Sequence, residues 1–182
     1  MFEASPNSTV HGQVAILFHP GIVPVMDVFR SLDSLDEQYD LTLLDGPERA
    51  LAPYARPETA KAIISDALLL AFALTRERGK PFDHRPLGSR QGTMDEYSLV
   101  ALIGSSRGPI TELTVEAAAA LDIISLDFIA SLAGELVRQI DLSDLTFDPP
   151  SPSEFKTIVR SAGPVGDPVR SLSGATSFSF KF

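Results

Sequence analysis

Cysteine is absent from this sequence of 182 residues, and basic residues are scarce. Without cysteine the chain has no disulfide, no thiol nucleophile and no thiolate metal site. The 15 Lys and Arg residues stand against 24 Asp and Glu residues, which gives a formal net charge of -9. A chain this acidic repels nucleic-acid phosphates and anionic lipid surfaces, and no basic cluster offsets the repulsion. We therefore expect neither nucleic acid nor a membrane as a partner.

Histidine is also rare, and long hydrophobic runs are missing. The three histidines, His11, His19 and His84, have no Asp or Glu at metal-ligand spacing, and the glycine-rich stretches match neither a P-loop nor a dinucleotide fingerprint. We expect no metal and no cofactor. The longest apolar stretch, residues 67–74, is much shorter than the roughly 20 residues that cross a bilayer. Residues 1–13 lack the basic and apolar regions of a secretory signal, which favours a cytoplasmic location.

The first third of the chain has the pattern of a β-α-β unit. Residues 13–18 (QVAILF) are a continuous apolar run closed by Pro and Gly, which is typical of a strand buried on both faces. Residues 22–35 place apolar side chains at helical spacing. Residues 39–44 (YDLTLL) predict a second strand, ended by Asp-Gly-Pro. Parallel pairing through a right-handed crossover is the default for such a unit.

The middle of the chain alternates helix and strand patterns. Residues 58–78 are the strongest helix prediction, because a wide apolar stripe ends in basic residues and Gly79, which suit a helix C-terminus. The further predicted elements are an exposed loop at 79–96, a strand at 99–103, a helix at 110–121, a strand at 122–128 and a helix at 129–140.

The composition changes at residue 148. Repeated proline, serine and glycine then predict an extended or disordered arm. Residues 177–182 (SFSFKF) alternate polar and aromatic side chains, which indicates a short strand that docks on this protein or on a partner. The sequence therefore predicts a flexible lead at 1–12, an α/β domain at 13–147 and an extended C-terminal arm at 148–182.

One stretch carries a candidate for chemistry. Residues 104–108 read Gly-Ser-Ser-Arg-Gly between the predicted strand at 99–103 and the predicted helix at 110–121. This is the G-x-S-x-G pattern of a nucleophile elbow, with Ser106 at the nucleophile position. In an elbow the serine lies at the N-terminus of a helix, whose dipole favours developing negative charge.

The order of these elements resembles the first two thirds of an α/β-hydrolase. His19-Pro20-Gly21 after the first strand is most similar to the thioesterase branch, and the resemblance covers residues 13–128. It implies a three-layer α/β fold, truncated relative to the family, with a mostly parallel sheet, helices on both faces and the extended arm added at the C-terminus.

The resemblance also implies hydrolysis of an ester or thioester through Ser106. One oxyanion donor would be the backbone N–H of Arg107, and a second would come from the loop near Gly21 or Ile22. In some thioesterase-like members the acid follows the elbow helix, and Asp127 falls at that position.

The chain departs from the family at the catalytic histidine, which should follow the acid. All three histidines precede Ser106. His19 is the candidate base, but the chain would have to bring it to Ser106 by an unusual route. Without a base, a serine hydroxyl is a poor nucleophile at neutral pH. Three interpretations stay open: a minimal or divergent hydrolase, a fragment completed by another chain, and a hydrolase-like scaffold without catalysis.

Each candidate residue also fits a structural role. Ser106 suits an ordinary turn, Arg107 suits either an anion site or a solvated turn, and Asp127 suits a cap on a helix at Ile129. Residues 116–132 have a helix-turn-helix pattern, but the would-be recognition helix carries no basic residue to read DNA.

Two other protein classes remain as alternatives. The β-α-β start is similar to that of glutamine-amidotransferase-like proteins, which need the cysteine that this chain lacks. The other class is a catalytically silent structural subunit of a larger assembly, favoured by the phenylalanines of residues 177–182, which are a liability when exposed. We expect another protein chain, in a homo- or hetero-oligomer, to bind through the C-terminal arm.

Overall fold

The computed structural model describes residues 16–32 and 40–162, and these are mostly helical. The helices are α1 Val23–Arg30, α2 Asp45–Leu51, α3 Pro57–Glu77, α4 Met94–Ser105, α5 Glu112–Ala120, α6 Leu126–Asp141 and α7 Pro152–Ala162, with a 3-10 helix at Leu41–Leu44. Two short strands, β1 Ile16–Leu17 and β2 Gln91–Gly92, pair antiparallel. The predicted lead at 1–12 and the aromatic segment at 177–182 lie outside the described residues.

Helix α4 lies at the centre of the packing. All its residues from Glu96 to Gly104 are buried, because α5, α6 and α7 pack around it. Helix α3 contacts both α1 and α6. All seven helices within residues 16–32 and 40–162 contribute to one hydrophobic core. Among the described helices, none combines the length and the apolar character needed to cross a membrane.

The predicted strand at 99–103 is wrong, because these residues lie inside α4. Thr93 and Glu96 start this helix with a reciprocal cap: Thr93 Oγ1 accepts from the Glu96 N–H at 3.2 Å, and Glu96 Oε2 accepts from the Thr93 N–H at 2.8 Å. A helix that is apolar all round is enclosed on every side. Its sequence is then a continuous apolar run, which periodicity alone does not distinguish from a buried strand.

The predicted three-layer α/β fold is wrong as a whole, since the described sheet has only two antiparallel strands. Residues 41–44 form a 3-10 helix in place of a strand, because the Asp40 carboxylate accepts a hydrogen bond from the Thr42 N–H at 3.0 Å. The Asp-Gly-Pro that we expected to end this strand begins α2. Of the first predicted strand, residues 16–17 are extended and residues 13–15 lie outside the described ranges.

Residues 122–128 form no strand either. Asp122 adopts a φ of 56°, and the Ile123 N–H donates to the Ala118 carbonyl at 3.0 Å. This is the left-handed end that closes many helices, here α5. Helix α6 then begins at Leu126. The helices predicted at 58–78, 110–121 and 129–140 are confirmed, as α3, α5 and α6, and the one at 22–35 is confirmed over α1.

The predicted extended arm is wrong over residues 152–162, which form α7. Ser151 Oγ accepts from the Glu154 N–H at 3.2 Å, and Pro152 occupies the first helical position, where its missing N–H costs nothing. Phe155 is buried and stacks on Tyr97, with ring centroids 5.5 Å apart. The packed unit therefore continues past residue 148.

Candidate functional site

Ser106 lies at the C-terminal end of α4. Its side chain is buried, and its Oγ donates to the Leu102 carbonyl at 2.7 Å, the one hydrogen bond that this hydroxyl makes within the described ranges. A helix C-terminus presents carbonyl oxygens and partial negative charge, which would destabilise an oxyanion. The turn at 104–108 is therefore not a nucleophile elbow, and that prediction is wrong.

Arg107 joins α4 to α6 and to the segment before α7. Its Nε and Nη2 donate to the two carboxylate oxygens of Asp141 at 3.0 and 2.8 Å. Its Nη1 donates to the Gly104 carbonyl and its Nη2 to the Phe147 carbonyl. The hydrogen bonds to Asp141 raise the pKa of Arg107 above its usual value. These contacts give the guanidinium a structural role.

Asp127 is exposed in the first turn of α6, where a negative charge favours the helix dipole. Ser106, at the end of α4, contacts α6 farther along that helix, at Gly134, where an added Cβ would meet the Ser106 carbonyl at 3.1 Å. Asp127 precedes Gly134 by about two helical turns, or about 10 Å. The structure does not join Asp127 to Ser106, and Ser125, not Asp127, is the N-cap.

His19 and Ile22 line a cleft of about 470 Å³ that Ser106, Arg107 and Asp127 do not line. The Gly21 N–H donates to His19 Nδ1 at 3.2 Å, so the neutral imidazole carries its proton on Nε2. A Cβ on Gly21 would meet Leu145 Cδ2 at 2.9 Å, so a larger residue there requires the Leu145 side chain to shift. The structure thus separates the residues near His19 from Ser106 and Arg107, and it separates Asp127 from both.

We name this cavity the β1–α4–α7 cleft, after the elements that border it. Its apolar lining includes Phe18, Ile22, Val100 and Ile158. Its exposed polar groups include His19 and the carboxylates of Asp148 and Glu154. Its volume lies in the range of pockets that bind small molecules or short peptide segments.

Tyr97 is the unusual residue of the cleft lining. The side chain is buried, yet its hydroxyl has no hydrogen-bond partner in the described part of the chain. Burial, with the negative charge of Glu154, raises the pKa of Tyr97 to about 12. A buried hydroxyl without a partner costs about 1–3 kcal/mol. A bound group that offered an acceptor would recover that free energy once it displaced the side chains that cover the hydroxyl.

The N-terminal end of α4 also contacts a charge cluster that we name the clasp, made of Asp27, Arg30 and Glu96. Arg30 Nε donates to Glu96 Oε1 at 2.6 Å, and its Nη1 donates to Asp27 Oδ1 at 3.0 Å. The Arg30 side chain is 0% exposed, and it also donates to the carbonyls of Ser89 and Gln91. The clasp therefore fastens the loop between α3 and α4, which the sequence predicts as exposed and which is largely exposed over residues 79–91.

Sequence reasoning missed both regions, although one signal was present. Thr-x-x-Glu before an apolar run is the pattern of a capping box, and it marks Thr93 and Glu96 as a helix start. No local pattern pairs Glu96 with Arg30, which lies 66 residues away. No group of three or more His, Asp or Glu side chains in the described ranges is placed to hold a metal.

Comparison of the chain with models of known protein families, with curated proteins and with solved structures found no match.

Proposed function

We propose that this protein is a non-catalytic docking subunit whose β1–α4–α7 cleft binds a short peptide segment of a protein partner. The observation that carries the proposal is the cleft itself. It combines an apolar lining, a buried Tyr97 hydroxyl without a partner and two carboxylates at its edge. The hydrolase hypothesis depended on an elbow that Ser106 does not form, so the silent-subunit alternative takes its place.

The chemistry of the cleft selects for mixed apolar and basic character. Apolar side chains such as Val100 and Ile158 favour aliphatic or aromatic groups, each worth about 1.5–3 kcal/mol when fully buried. Asp148 and Glu154 favour Lys or Arg, and charge complementarity of this kind sets specificity and association rate more than affinity.

The strand at the edge of the cleft favours an extended ligand. In the described sheet β1 pairs only with β2, so its other edge is not paired with a strand. Leu17 in β1 is 64% exposed and lines the cleft. An extended peptide can add its backbone to such an edge and place alternate side chains in the cavity. A peptide therefore fits the site better than a compact polar metabolite.

A titration with labelled peptides tests the proposal. Hexapeptides with alternating Phe residues and one Lys are titrated into the full-length chain, followed by fluorescence anisotropy. In that chain Phe178, Phe180 and Phe182 are changed to Ser, so that its own aromatic groups do not compete. We expect saturable binding that Glu154→Lys weakens about tenfold, because the new charge repels the peptide lysine.

The matched control is Glu135→Lys, which makes the same charge change on the exposed face of α6. We expect the peptide affinity of Glu135→Lys to stay within about twofold of the affinity measured without this substitution, since its charge is screened from the cleft. Equal affinities for the two variants, or no saturable binding at all, would overturn the proposal.

Two parts of the proposal have no described residues to support them. Docking of another protein chain through the C-terminal arm stays a prediction, because residues 163–182 lie outside the described ranges. The cytoplasmic location also stays a prediction.

A further inference from the structure

We infer that the β1–α4–α7 cleft is the docking site for the protein's own residues 177–182 (SFSFKF), bound within the same chain. This inference rests on the proposed function, since it names the segment that the peptide site receives when no partner is bound. The segment and the cleft match in chemistry, and the chain is long enough to join them.

The alternation of polar and aromatic side chains in residues 177–182 matches the chemistry of the cleft. In an extended segment, Phe178, Phe180 and Phe182 lie on one face, and Lys181 lies on the other with the serines. The phenylalanines suit the apolar lining around Val100. The lysine then lies toward the edge of the cleft, where Asp148 and Glu154 carry the complementary charge.

The reach is short. Helix α7 lines the cleft with Glu154 and Ile158, and it ends at Ala162. Ile158 is four residues before that end, or about 6 Å along the helix axis. Residues 163–176 separate Ala162 from the segment, and a random coil of that length would span about 20 Å. A tether of this length gives an effective concentration in the millimolar range, so docking within one chain dominates at ordinary protein concentrations.

This docking has a consequence for the proposed partner. A tethered segment at millimolar effective concentration occupies even a site of modest affinity. A partner peptide must then displace residues 177–182 before it binds. The protein would thus keep its own phenylalanines covered and its cleft closed to weak ligands.

Disulfide trapping tests the inference directly, because the chain has no native cysteine. Thr146 is exposed and lines the cleft, and Ser179 lies in the segment. The double variant Thr146→Cys, Ser179→Cys of the full-length chain is oxidised under mild conditions. Its products are then identified by mass spectrometry of the linked peptides.

We expect an intramolecular disulfide that forms at least about tenfold faster than in the control pair Ser65→Cys, Ser179→Cys. Ser65 is exposed on α3, which does not line the cleft. Equal rates for the two pairs would overturn the inference. Disulfides found only between two chains would place the segment on a second copy, and would overturn docking within the chain.

A single tryptophan provides a second readout, since the chain has none. Phe180→Trp should emit at shorter wavelength than the same variant carrying Glu154→Lys, which repels Lys181 and releases the segment into water. Emission typical of exposed tryptophan in both variants would overturn the inference.

The two proposals fail separately. If the added hexapeptides bind the cleft but neither the disulfide nor the tryptophan reports docking, the peptide site stands and its occupation by residues 177–182 is wrong. If the hexapeptides also fail to bind, the peptide site itself is wrong.

Discussion

Two neighbouring residues of α4, Glu96 and Tyr97, belong to regions that treat buried polar groups in opposite ways. In the clasp, the Glu96 carboxylate accepts hydrogen bonds from Arg30, Arg85 and Thr93. In the cleft, the Tyr97 hydroxyl has no partner within the described residues. Most buried polar groups in proteins are paired, so an unpaired one in the lining of a cavity needs an explanation, and a ligand is the one that we propose. The clasp fastens the fold, and the cleft is where binding is expected.

Arg78, close to the clasp, shows that a buried polar group without a partner does not always lie beside a cleft. Arg78 at the end of α3 also has two guanidinium nitrogens, Nε and Nη1, without a partner in the described ranges. Its Nη2 is paired with Asp95, and its guanidinium lies 5.3 Å from the centre of the Phe82 ring. It does not line the β1–α4–α7 cleft. An unpaired buried group therefore suggests a site only when space for a ligand lies beside it.

The largest effect is expected when the clasp is broken. Arg30→Met removes the cation and leaves Glu96 and Asp27 as buried or half-buried negative charges. Removal of one partner from a buried pair costs about 3–5 kcal/mol. We expect a loss of that size in the free energy of unfolding, measured by urea denaturation and followed by circular dichroism.

The control is Arg138→Met, because Arg138 pairs with Glu135 three residues earlier on the exposed face of α6. Exposed pairs contribute about 0–1 kcal/mol, so this variant should stay close to the wild type. Similar losses for Arg30→Met and Arg138→Met would contradict the structural role of the clasp.

The two glycines of the G-S-S-R-G turn give the next largest contrast. A Cβ on Gly104 would meet Pro149 Cβ at 2.8 Å and Pro149 Cα at 3.2 Å, whereas a Cβ on Gly108 meets nothing within 4 Å. We expect Gly104→Ala to cost about 1–3 kcal/mol through overpacking. It should also weaken peptide binding, because Pro149 lines the cleft.

Gly108→Ala serves as the matched control, with a change in the free energy of unfolding within about 0.5 kcal/mol. Thermal unfolding and peptide titration of both variants provide the measurement. A nucleophile elbow would need both glycines for close helix–strand packing. Equal sensitivity at the two positions would therefore contradict the structural account of this turn.

The amphipathic helices could be predicted from the sequence, because one apolar face shows as a regular spacing. Helix α6 is the clearest case, since Ile129, Ala133, Leu136 and Ile140 are all buried. Helix α4 could not be recognised in this way, because all of its sides are covered and its apolar run resembles a buried strand. The local signal that distinguishes the two is the capping box at Thr93.

The candidate site was less predictable than the fold. Ser106 between two glycines matches a familiar motif. Its predicted role as a nucleophile depended on a strand before the turn, but the residues before the turn form helix α4. The cleft brings together residues from β1, α4 and α7, such as Leu17, Tyr97 and Ile158, which are far apart in sequence. No local pattern links them. Only His19 and Ile22 were predicted as site residues and also line this cleft.

The smallest effect, and the one that most sharpens the contrast within α4, is expected from Tyr97→Phe. At neutral pH the variant should unfold with equal or slightly higher free energy, because a hydroxyl without a partner is removed. The pKa of about 12 in the folded protein lies above the usual tyrosine pKa of about 10. The fold therefore favours the protonated phenol of Tyr97. The resulting contribution to the free energy of unfolding is complete below pH 10 and is lost as the pH rises from 10 to 12.

Tyr97→Phe should lack this alkaline loss, and urea denaturation at pH 8 and pH 11 would measure the difference. Peptide affinity should move the other way at neutral pH and fall about threefold to tenfold, because the ligand loses one hydrogen bond. Higher stability combined with weaker binding is the combination that a purely structural tyrosine does not produce. A variant that loses stability and keeps its peptide affinity would instead place Tyr97 with Glu96, as part of the fold rather than of the site.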